Sequence, residues 1–277
     1  MPNFKDLLDL LLAVWRWIQG RKNPAYAQAA RILRALNAHG VKPTQINSRL
    51  PENLRLKTVE WSSAERLKDA LTQGQIDWFN NYLKLDPYWV EGVADRPHIH
   101  ISCYKNPRRF QEWLTQNHFS EHGLDFKLHL ITVDGSEISA ASSGPYAVVL
   151  QAYGREDEEI SRYYHLMEGA RFDHRPGVVH LMELLAIAHC HGIILQRSIL
   201  PLAKLAQLSN HNGLIPEHLW KCRPNRLAAD HEFWGHFSGN GPWLTGLRDE
   251  AESNLVKAAL PSLVGIVNAD RVRFARS

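Results

Sequence analysis

Cysteine is scarce in this sequence, and its few copies follow no familiar spacing. The 277 residues include three cysteines, Cys103, Cys190 and Cys222, and no two stand at the spacing of a zinc finger or a redox pair. We therefore expect no disulfide framework and a reducing, cytoplasmic compartment. A chain of this length buries a large core without covalent staples.

Long apolar runs are also missing. The apolar stretch at residues 4–20 is interrupted by Asp6, Asp9 and Arg16, and it is shorter than the ~20 residues that span a bilayer. It lacks the basic start and the cleavage site of a signal peptide, so we predict no membrane span. We interpret residues 1–20 as an amphipathic helix that docks on the body or pairs two subunits. Attachment to a membrane surface is the alternative, against which the non-basic polar face argues.

Motifs that carry catalysis or bind metals are missing as patterns. The sequence has no Walker or dinucleotide glycine pattern, and Ser142-Ser143-Gly144 lacks the GxSxG elbow. Residues 231–236 read HEFWGH, whose histidines are five positions apart rather than four as in the zinc-protease motif. Side chains at that spacing point about 140° apart on an ideal helix, so they do not share a face. We therefore predict no metal there.

A second group of histidines falls within residues 176–191, which we interpret as one long apolar helix. His180 and Glu183 share a face of that helix, whereas His189 and His191 diverge from each other. We interpret these side chains as histidines that border a sheet, not as metal ligands. The sequence therefore predicts no catalytic residue, metal or cofactor. The alternative is an enzyme whose active site has no recognisable sequence motif.

Charge is distributed unevenly along the first third of the chain. Residues 21–58 contain eight lysines and arginines against one acid, whereas residues 59–95 contain three against seven acids. A phosphate backbone would be attracted to the first of these stretches. The alternative is an ordinary solvated surface with uneven charge.

Residues 24–92 read as a series of short helices. A helix with apolar residues at helical spacing starts at Pro24 and is closed by Gly40, and a second covers residues 43–50. Residues 53–61 alternate polar and apolar, so we expect an extended segment or a loop. Two capping boxes then predict further helix starts, at Ser62 with Glu65 and at Thr72 with Gln75; the second of these helices ends at Asp86-Pro87.

The rest of the chain alternates between strand and helix patterns. We predict strands over residues 98–104, 126–133, 146–153 and 160–167, and helices over 107–117 and 176–191. These elements predict a four-stranded sheet with helices on one face, an α+β layout of the kind found in sensor domains. Residues after 201 read as helices broken by prolines and glycines.

The end of the first region carries a family resemblance. Residues 76–92 read IDWFNNYLKLDPYWVEG, a helix, a short turn and a Trp-Val-Glu-Gly finish, and residues 36–50 supply a glycine turn followed by a short helix. This arrangement resembles the helix-turn-helix domain of lambda-repressor-like (XRE-type) regulators over about a quarter of the chain. The resemblance implies an all-helical fold, binding to double-stranded DNA and two-fold pairing of subunits.

One segment departs from the family pattern. The family places its recognition helix after the second helix, where this chain has Pro51 and the alternating residues 53–61. The recognition helix is therefore displaced, shortened or lost. The module either binds DNA or has lost DNA binding and serves protein–protein contact. If DNA binding survives, arginine and lysine would hold phosphates, and Gln45 or Arg49 would read base edges. The DNA-binding residues are then Lys42, Thr44, Gln45, Arg49, Arg55 and Lys57.

Aromatic and histidine side chains gather at a predicted strand–helix junction in the second region. Such groups combine an apolar body with a polar tip and are typical of small-molecule pockets. The alternative is an aromatic core with histidines at its edge. The ligand-binding candidates are Tyr153, Tyr164, His165 and His180, with Tyr163 and Phe172 beside them.

Together these observations predict an α+β protein with four parts: an amphipathic helix at 1–20, a helix-turn-helix-like module at 21–95, a sensor-like α+β domain at 96–200 and a helical extension at 201–277. We expect a DNA-associated transcriptional regulator whose second domain senses a small ligand of unknown identity or a partner. The alternatives are an interaction protein without DNA affinity and an enzyme with an unadvertised site.

The Leu- and Trp-rich segment before Gly20 generates the first testable prediction. If that segment is the seam of a homodimer, a chain that starts at Gly20 should be monomeric, because the apolar face that holds the two copies together is gone. Light scattering on the full and shortened chains measures the oligomer. An oligomer unchanged by the deletion would remove this idea.

Overall fold

A computed structural model describes most of the chain. The chain divides into two compact units at the bond between Pro97 and His98. The predictions for residues 1–20 and for the HEFWGH run at 231–236 fall outside the part that is described. The described ranges are 23–117, 125–136, 138–154, 160–224 and 241–274.

The first unit is helical, as predicted. Helix α1, Pro24–Ala38, starts where the Asn23 side chain accepts a hydrogen bond from the Tyr26 amide at 3.1 Å, and Pro24 occupies a position whose amide needs no partner. The chain leaves the helix through Gly40, whose φ of 78° suits glycine. The other α-helices among the described residues of this unit are α2 (Pro43–Arg49), α3 (Ala64–Ala70), α4 (Gln73–Leu83) and α5 (Pro87–Glu91).

The two predicted capping boxes have different outcomes. The box at Thr72 is confirmed: the Gln75 side chain accepts from the Thr72 amide at 2.7 Å, and the Thr72 hydroxyl accepts from the Gln75 amide at 3.4 Å. The prediction at Ser62 is wrong by one residue. Ser63 is the N-cap of α3, because Ser62 still belongs to a preceding 3₁₀ turn.

The segment between α2 and α3 consists of two 3₁₀ turns, Glu52–Leu54 and Thr58–Ser62, joined by extended residues. The side chain of Asn47 on α2 holds this segment in place. Its amide donates to the Leu56 carbonyl at 2.6 Å, and its carbonyl accepts from the Leu56 amide at 3.3 Å and from the indole Nε1 of Trp61 at 2.9 Å. Trp61 is fully buried and meets Phe79 edge to face at 5.6 Å. One aromatic side chain and one amide therefore order a segment that has little regular structure.

The second unit is built around a sheet of five strands in the described residues, in the order β3-β2-β1-β4-β5. Strand β1 is central: it pairs antiparallel with β2 and parallel with β4. The parallel pairing is made possible by a long helix that precedes β4. The strands are β1 (Phe126–Thr132), β2 (Ala147–Ala152), β3 (Arg162–His165), β4 (Ile194–Ile199) and β5 (Arg223–Pro224).

The helices of this unit cover both faces of the sheet, so the prediction that they cover one face is wrong. Along β2, Val148 and Leu150 face one core, whereas Ala147 and Val149 face a second, smaller core on the other side. Over the stretches that the structure describes, the helices are α6 (Pro107–Asn117), α7 (Arg175–Cys190), α8 (Leu202–Ser209), α9 (Ile215–Leu219), α10 (Gly241–Lys257) and α11 (Pro261–Phe274).

Two further details of the predicted sheet are corrected. The predicted strand over residues 98–104 is wrong: the segment makes isolated bridges at His98 and His100, the latter to His165 at the end of β3, and does not continue as a strand. Strand β4 escaped prediction because Arg197 interrupts its apolar pattern. This arginine is 2% exposed, and its guanidinium donates to the Asp134 and Ser136 carbonyls at 3.2 and 2.6 Å. Backbone carbonyls thus satisfy a charge that a sequence pattern would place in solvent.

Helix α7 is the middle of the second unit. Every residue from Gly177 to Ala188 is buried, since the sheet covers one side and α6, α10 and α11 pack against the others. The α+β class is confirmed. Within the described ranges, no helix is both long and apolar enough to cross a bilayer.

The role of Asn47 yields a prediction. Asn47→Ala removes the partners of Leu56 and of the buried Trp61 indole, so the free energy of unfolding should fall by about 2 kcal/mol. Asn53→Ala, a change at an exposed position of the same segment, is the matched control and should alter stability by less than about 0.5 kcal/mol. Urea denaturation measures both. Equal stability of the two variants would contradict the role given to Asn47.

Candidate functional site

The residues predicted to contact DNA lie on α2 and on the segment that Asn47 holds beside it. Lys42, Thr44 and Gln45 are exposed at the start of α2, and Arg55 and Lys57 are exposed on the held segment. Because Asn47 bonds to Leu56, the two stretches run next to each other. In the described part of the chain, the structure records no carboxylate within ion-pair distance of Lys42, Arg55 or Lys57.

The two predicted base readers are engaged inside the protein. The Gln45 side chain accepts a hydrogen bond from the Lys42 amide at 3.1 Å, which caps α2. Arg49 is half-buried, and its guanidinium donates to the Tyr82 hydroxyl at 3.4 Å. A 3₁₀ turn of three residues, Glu52–Leu54, stands where the family has its recognition helix. The geometry therefore offers cations for phosphates but no long helix for a major groove.

The four residues predicted to bind a ligand do not line a common pocket. Tyr164 and His165 are neighbours on β3 and point to opposite faces of the sheet. Tyr164 packs against Trp113 at 4.9 Å in the larger core, and His165 stacks on His211 at 3.9 Å. Tyr153 is half-buried just beyond the end of β2, and His180 lies on α7.

His165 belongs to a buried cluster of histidines. Its ring stacks on His211, which in turn meets His100 at 5.0 Å, and His98 lies 6.5 Å from His165 between ring centroids. Burial and the nearby His211, His98, His100 and His218 hold the pKa of His165 well below its ordinary value. His165 is therefore neutral at pH 7. Among the described residues, no group of three or more histidine, cysteine, aspartate or glutamate side chains is arranged to hold a metal ion.

A chain of four polar side chains runs beside α7. His180 and Glu183, one turn apart on one face as predicted, bond through Nδ1 and Oε2 at 2.9 Å. The Glu183 Oε1 atom accepts from the Asn254 side-chain amide of α10 at 2.8 Å. On the other side, Nε2 of His180 lies 3.8 Å from the Cys103 Sγ atom. The result is a continuous Cys103–His180–Glu183–Asn254 chain in an otherwise apolar core.

This chain borders a cavity of about 530 Å³. His180, Glu183 and Asn254 line its inner wall, and Lys105 and Lys257 lie at its exposed side. Its other acid, Glu250, is bonded to Arg175 at 2.9 Å. A second cavity of about 390 Å³ contains Tyr104, His174 and Gly177 among its lining residues. Both volumes match small-molecule sites.

Sequence reasoning found half of the four-residue chain. The spacing of His180 and Glu183 predicted their shared helix face, but Cys103 lies 77 positions before His180 and Asn254 lies 71 positions after Glu183. No local pattern marks either residue, because a contact at that separation is created by the packing of α7 against α10 and against the loop before α6.

Comparisons with protein-family models, with curated proteins and with solved structures find no match to this chain. The resemblance to XRE-type regulators therefore stays a prediction.

The buried histidines predict a stability that depends on pH. Burial lowers the pKa of His129 to about 4, below its ordinary value of 6.5, so the folded protein keeps it neutral while the unfolded chain takes up a proton. The stability it contributes is present above pH 6.5 and is lost as pH falls toward 4. Between pH 7 and pH 5 this loss should be about 2 kcal/mol for each such histidine.

His129→Gln tests this expectation, because glutamine does not titrate and keeps a polar group beside Gln151, 2.9 Å from His129 Nε2. Urea unfolding at pH 7 and pH 5 should show a smaller acid loss in this variant. His174→Gln, a change at an exposed histidine, should leave the acid loss unchanged. An acid loss in His129→Gln equal to that of the unmodified chain would contradict the assignment.

Proposed function

We propose that this protein is a DNA-associated regulator that holds duplex DNA through its first unit and binds a ligand or partner through its second. The observation that supports the first half is the exposed cationic stretch of residues 42–57. Its cations Lys42, Arg55 and Lys57 are exposed, and none of them forms an ion pair with a described residue. Such groups bind phosphates by releasing the counterions that surround DNA.

The charge distribution gives the module an orientation on DNA. Residues 21–58 carry the excess of cations, and residues 59–95 carry the excess of acids. The first stretch faces the phosphates in this proposal, and the acidic stretch faces away, since like charge on the backbone repels it. Two copies of the chain would double the number of phosphate contacts, which agrees with the two-fold pairing expected of such regulators.

The expected binding is weakly dependent on DNA sequence. Gln45 and Arg49 are the side chains with the chemistry to read base edges, and both are engaged within the protein. Phosphate contacts position a protein on DNA without carrying sequence information. We therefore expect micromolar affinity with a steep dependence on salt, as is typical of non-specific binding.

A second candidate function is protein–protein contact through the same unit. Tyr88 and Val93 are 63% and 76% exposed at the two ends of α5 and are joined by a backbone hydrogen bond of 2.8 Å. Exposed apolar side chains that lie together are typical of contact surfaces. This candidate predicts partner binding that is lost in Tyr88→Ser and is insensitive to the cations.

The cavity of about 530 Å³ in the second unit supports the other half of the proposal. Its size suits a small molecule, and His180 is the one predicted ligand-binding residue that lines it. A regulator of this kind works in the cytoplasm, a location that agrees with free Cys103, Cys190 and Cys222.

The proposal is tested by fluorescence anisotropy with a labelled mixed-sequence duplex. The triple variant Lys42→Ala, Arg55→Ala, Lys57→Ala should bind about 10-fold to 100-fold more weakly at low salt. The slope of log affinity against log salt should fall by about 3, because three phosphate contacts are removed. The charge-matched control Arg66→Ala, Lys204→Ala, Lys221→Ala removes three other exposed cations and should bind almost as the unmodified chain does.

Two results count against DNA binding. One is the absence of binding by the intact protein at low salt. The other is an equal loss in the two triple variants, which would assign the binding to net charge and not to residues 42–57. Tyr88→Ser, tested in parallel, should keep full affinity for DNA if the cations bind it. The same variant should lose partner binding if protein–protein contact is the function.

A further inference from the structure

The four-residue polar chain beside α7 has the order of a nucleophilic site. A thiol comes first: Sγ of Cys103 lies 3.8 Å from the imidazole Nε2 of His180 and 3.7 Å from the Leu166 carbonyl, to which the thiol can donate. Glu183 then binds the other ring nitrogen at 2.9 Å, and Asn254 holds the second oxygen of that carboxylate at 2.8 Å. Nucleophile, base and orienting group in hydrogen-bond sequence are the recognisable signature of covalent catalysis, whatever the fold around them.

The orientation of the histidine is the one that the chemistry requires. In the tautomer with the proton on Nδ1, the imidazole donates a hydrogen bond to Glu183, and Nε2, which faces Cys103, can take up a proton. Asn254 keeps the carboxylate from rotating away from the ring. The side chains of His180 and Glu183 are 2% and 3% exposed, so this geometry is held by packing as well as by hydrogen bonds.

We propose that Cys103, His180 and Glu183 form a nucleophilic acyl-transfer site that takes small anionic esters or thioesters. The thiol proton passes to Nε2 of His180 as Sγ of Cys103 bonds to the acyl carbon. The proton then passes to the leaving oxygen or sulfur as that bond breaks, which frees an alcohol or thiol and leaves a thioester on Cys103. Water attacks this thioester with His180 taking its proton, and the free acid and the thiol are restored. This activity does not depend on DNA binding.

The resting thiol is neutral. Burial raises the pKa of Cys103 to about 12, so a thiolate is not present before the reaction starts. The proton therefore leaves in the same step in which the sulfur attacks, as in sites where histidine acts on a neutral nucleophile.

Access to the sulfur requires movement in the protein, because Cys103 has no exposed surface and lines neither cavity, whereas its neighbour Tyr104 is 43% exposed. The Tyr104 ring meets the His180 ring edge-on at 5.4 Å, and its hydroxyl is bonded to His174 at 3.3 Å on the wall of the second cavity. In this proposal, rotation of the exposed Tyr104 ring opens the imidazole of His180 to the substrate.

The charges around the cavity of about 530 Å³ set the substrate class. Glu183 is satisfied by His180 and Asn254, and Glu250 is paired with Arg175. Lys105 and Lys257 are exposed at the same cavity and carry no recorded ion pair within the described ranges. An acyl group that carries a carboxylate or phosphate is therefore favoured over a neutral one.

The experiment uses the full chain with p-nitrophenyl acetate and the anionic p-nitrophenyl hemisuccinate. We expect a burst of one nitrophenolate per chain, a mass increase of one acyl group on the peptide that contains Cys103, and faster acylation by the hemisuccinate. His180→Gln should slow acylation by at least about 100-fold, because the general base is lost. Glu183→Gln should slow it less and leave the hemisuccinate concentration for half-maximal rate unchanged, because the carboxylate orients the imidazole and does not touch the substrate.

Matched variants separate this site from adventitious reactions. Cys103→Ala should abolish the burst, whereas Cys190→Ala and Cys222→Ala should retain it. Lys105→Gln with Lys257→Gln should remove the preference for the hemisuccinate, and Lys204→Gln with Lys221→Gln should not. Tyr104→Ala should raise the rate of acylation. Circular dichroism confirms that each variant is folded.

Two outcomes overturn the proposal. The first is a folded, unmodified protein that gives neither a burst nor an adduct on Cys103, even in Tyr104→Ala. The second is an adduct on Cys103 whose rate is the same in His180→Gln. Either result would mean that the hydrogen bonds among the four side chains have only a structural role, which is to hold α7 against α10. Neither result bears on the anisotropy titration, so the two proposals fail independently.

Discussion

The complete burial of α7 is the constraint on which the second unit depends. A helix that is covered on every side from Gly177 to Ala188 has no solvent with which to satisfy a polar side chain. His180 and Glu183 therefore have to find partners within the protein, and they do so in Cys103 and Asn254. The placement of α10 and of the loop before α6 follows from the same requirement, because each brings one of those partners to the helix.

The first unit solves a related problem in a different way. Its chain between α2 and α3 is too irregular to satisfy its own backbone, and the Asn47 side chain supplies the missing donor and acceptor for Leu56. The same amide accepts from Trp61, whose ring then fills the small core against Phe79. The backbone of a surface segment is thereby held beside α2.

Burial controls several titratable groups of the second unit. His129, His165 and the Cys103 thiol are held neutral at pH 7, because burial disfavours their charged forms. Arg197 is the buried group that keeps its charge, because backbone carbonyls accept its hydrogen bonds.

Local patterns determined most of the elements of this fold. Helix α6 has the predicted bounds, α1 starts at Pro24 as expected, and β1 lies within the predicted residues 126–133, since proline positions, caps and apolar periodicity act over a few residues. Local patterns failed where a partner that is distant in sequence lowers the free-energy cost of burying a polar residue. Arg197 breaks the strand pattern of β4 but is satisfied by the carbonyls of Asp134 and Ser136, which no local rule reveals.

By itself, the sequence determined the helical first unit, the α+β class and the shared face of His180 and Glu183. Only the tertiary structure decided that residues 51–61 form held 3₁₀ turns and not a recognition helix, and that Cys103 and Asn254 meet the His180–Glu183 pair. The reason is physical: local patterns report on neighbours along the chain. A site assembled from residues more than 70 positions apart exists only when apolar packing brings its elements together.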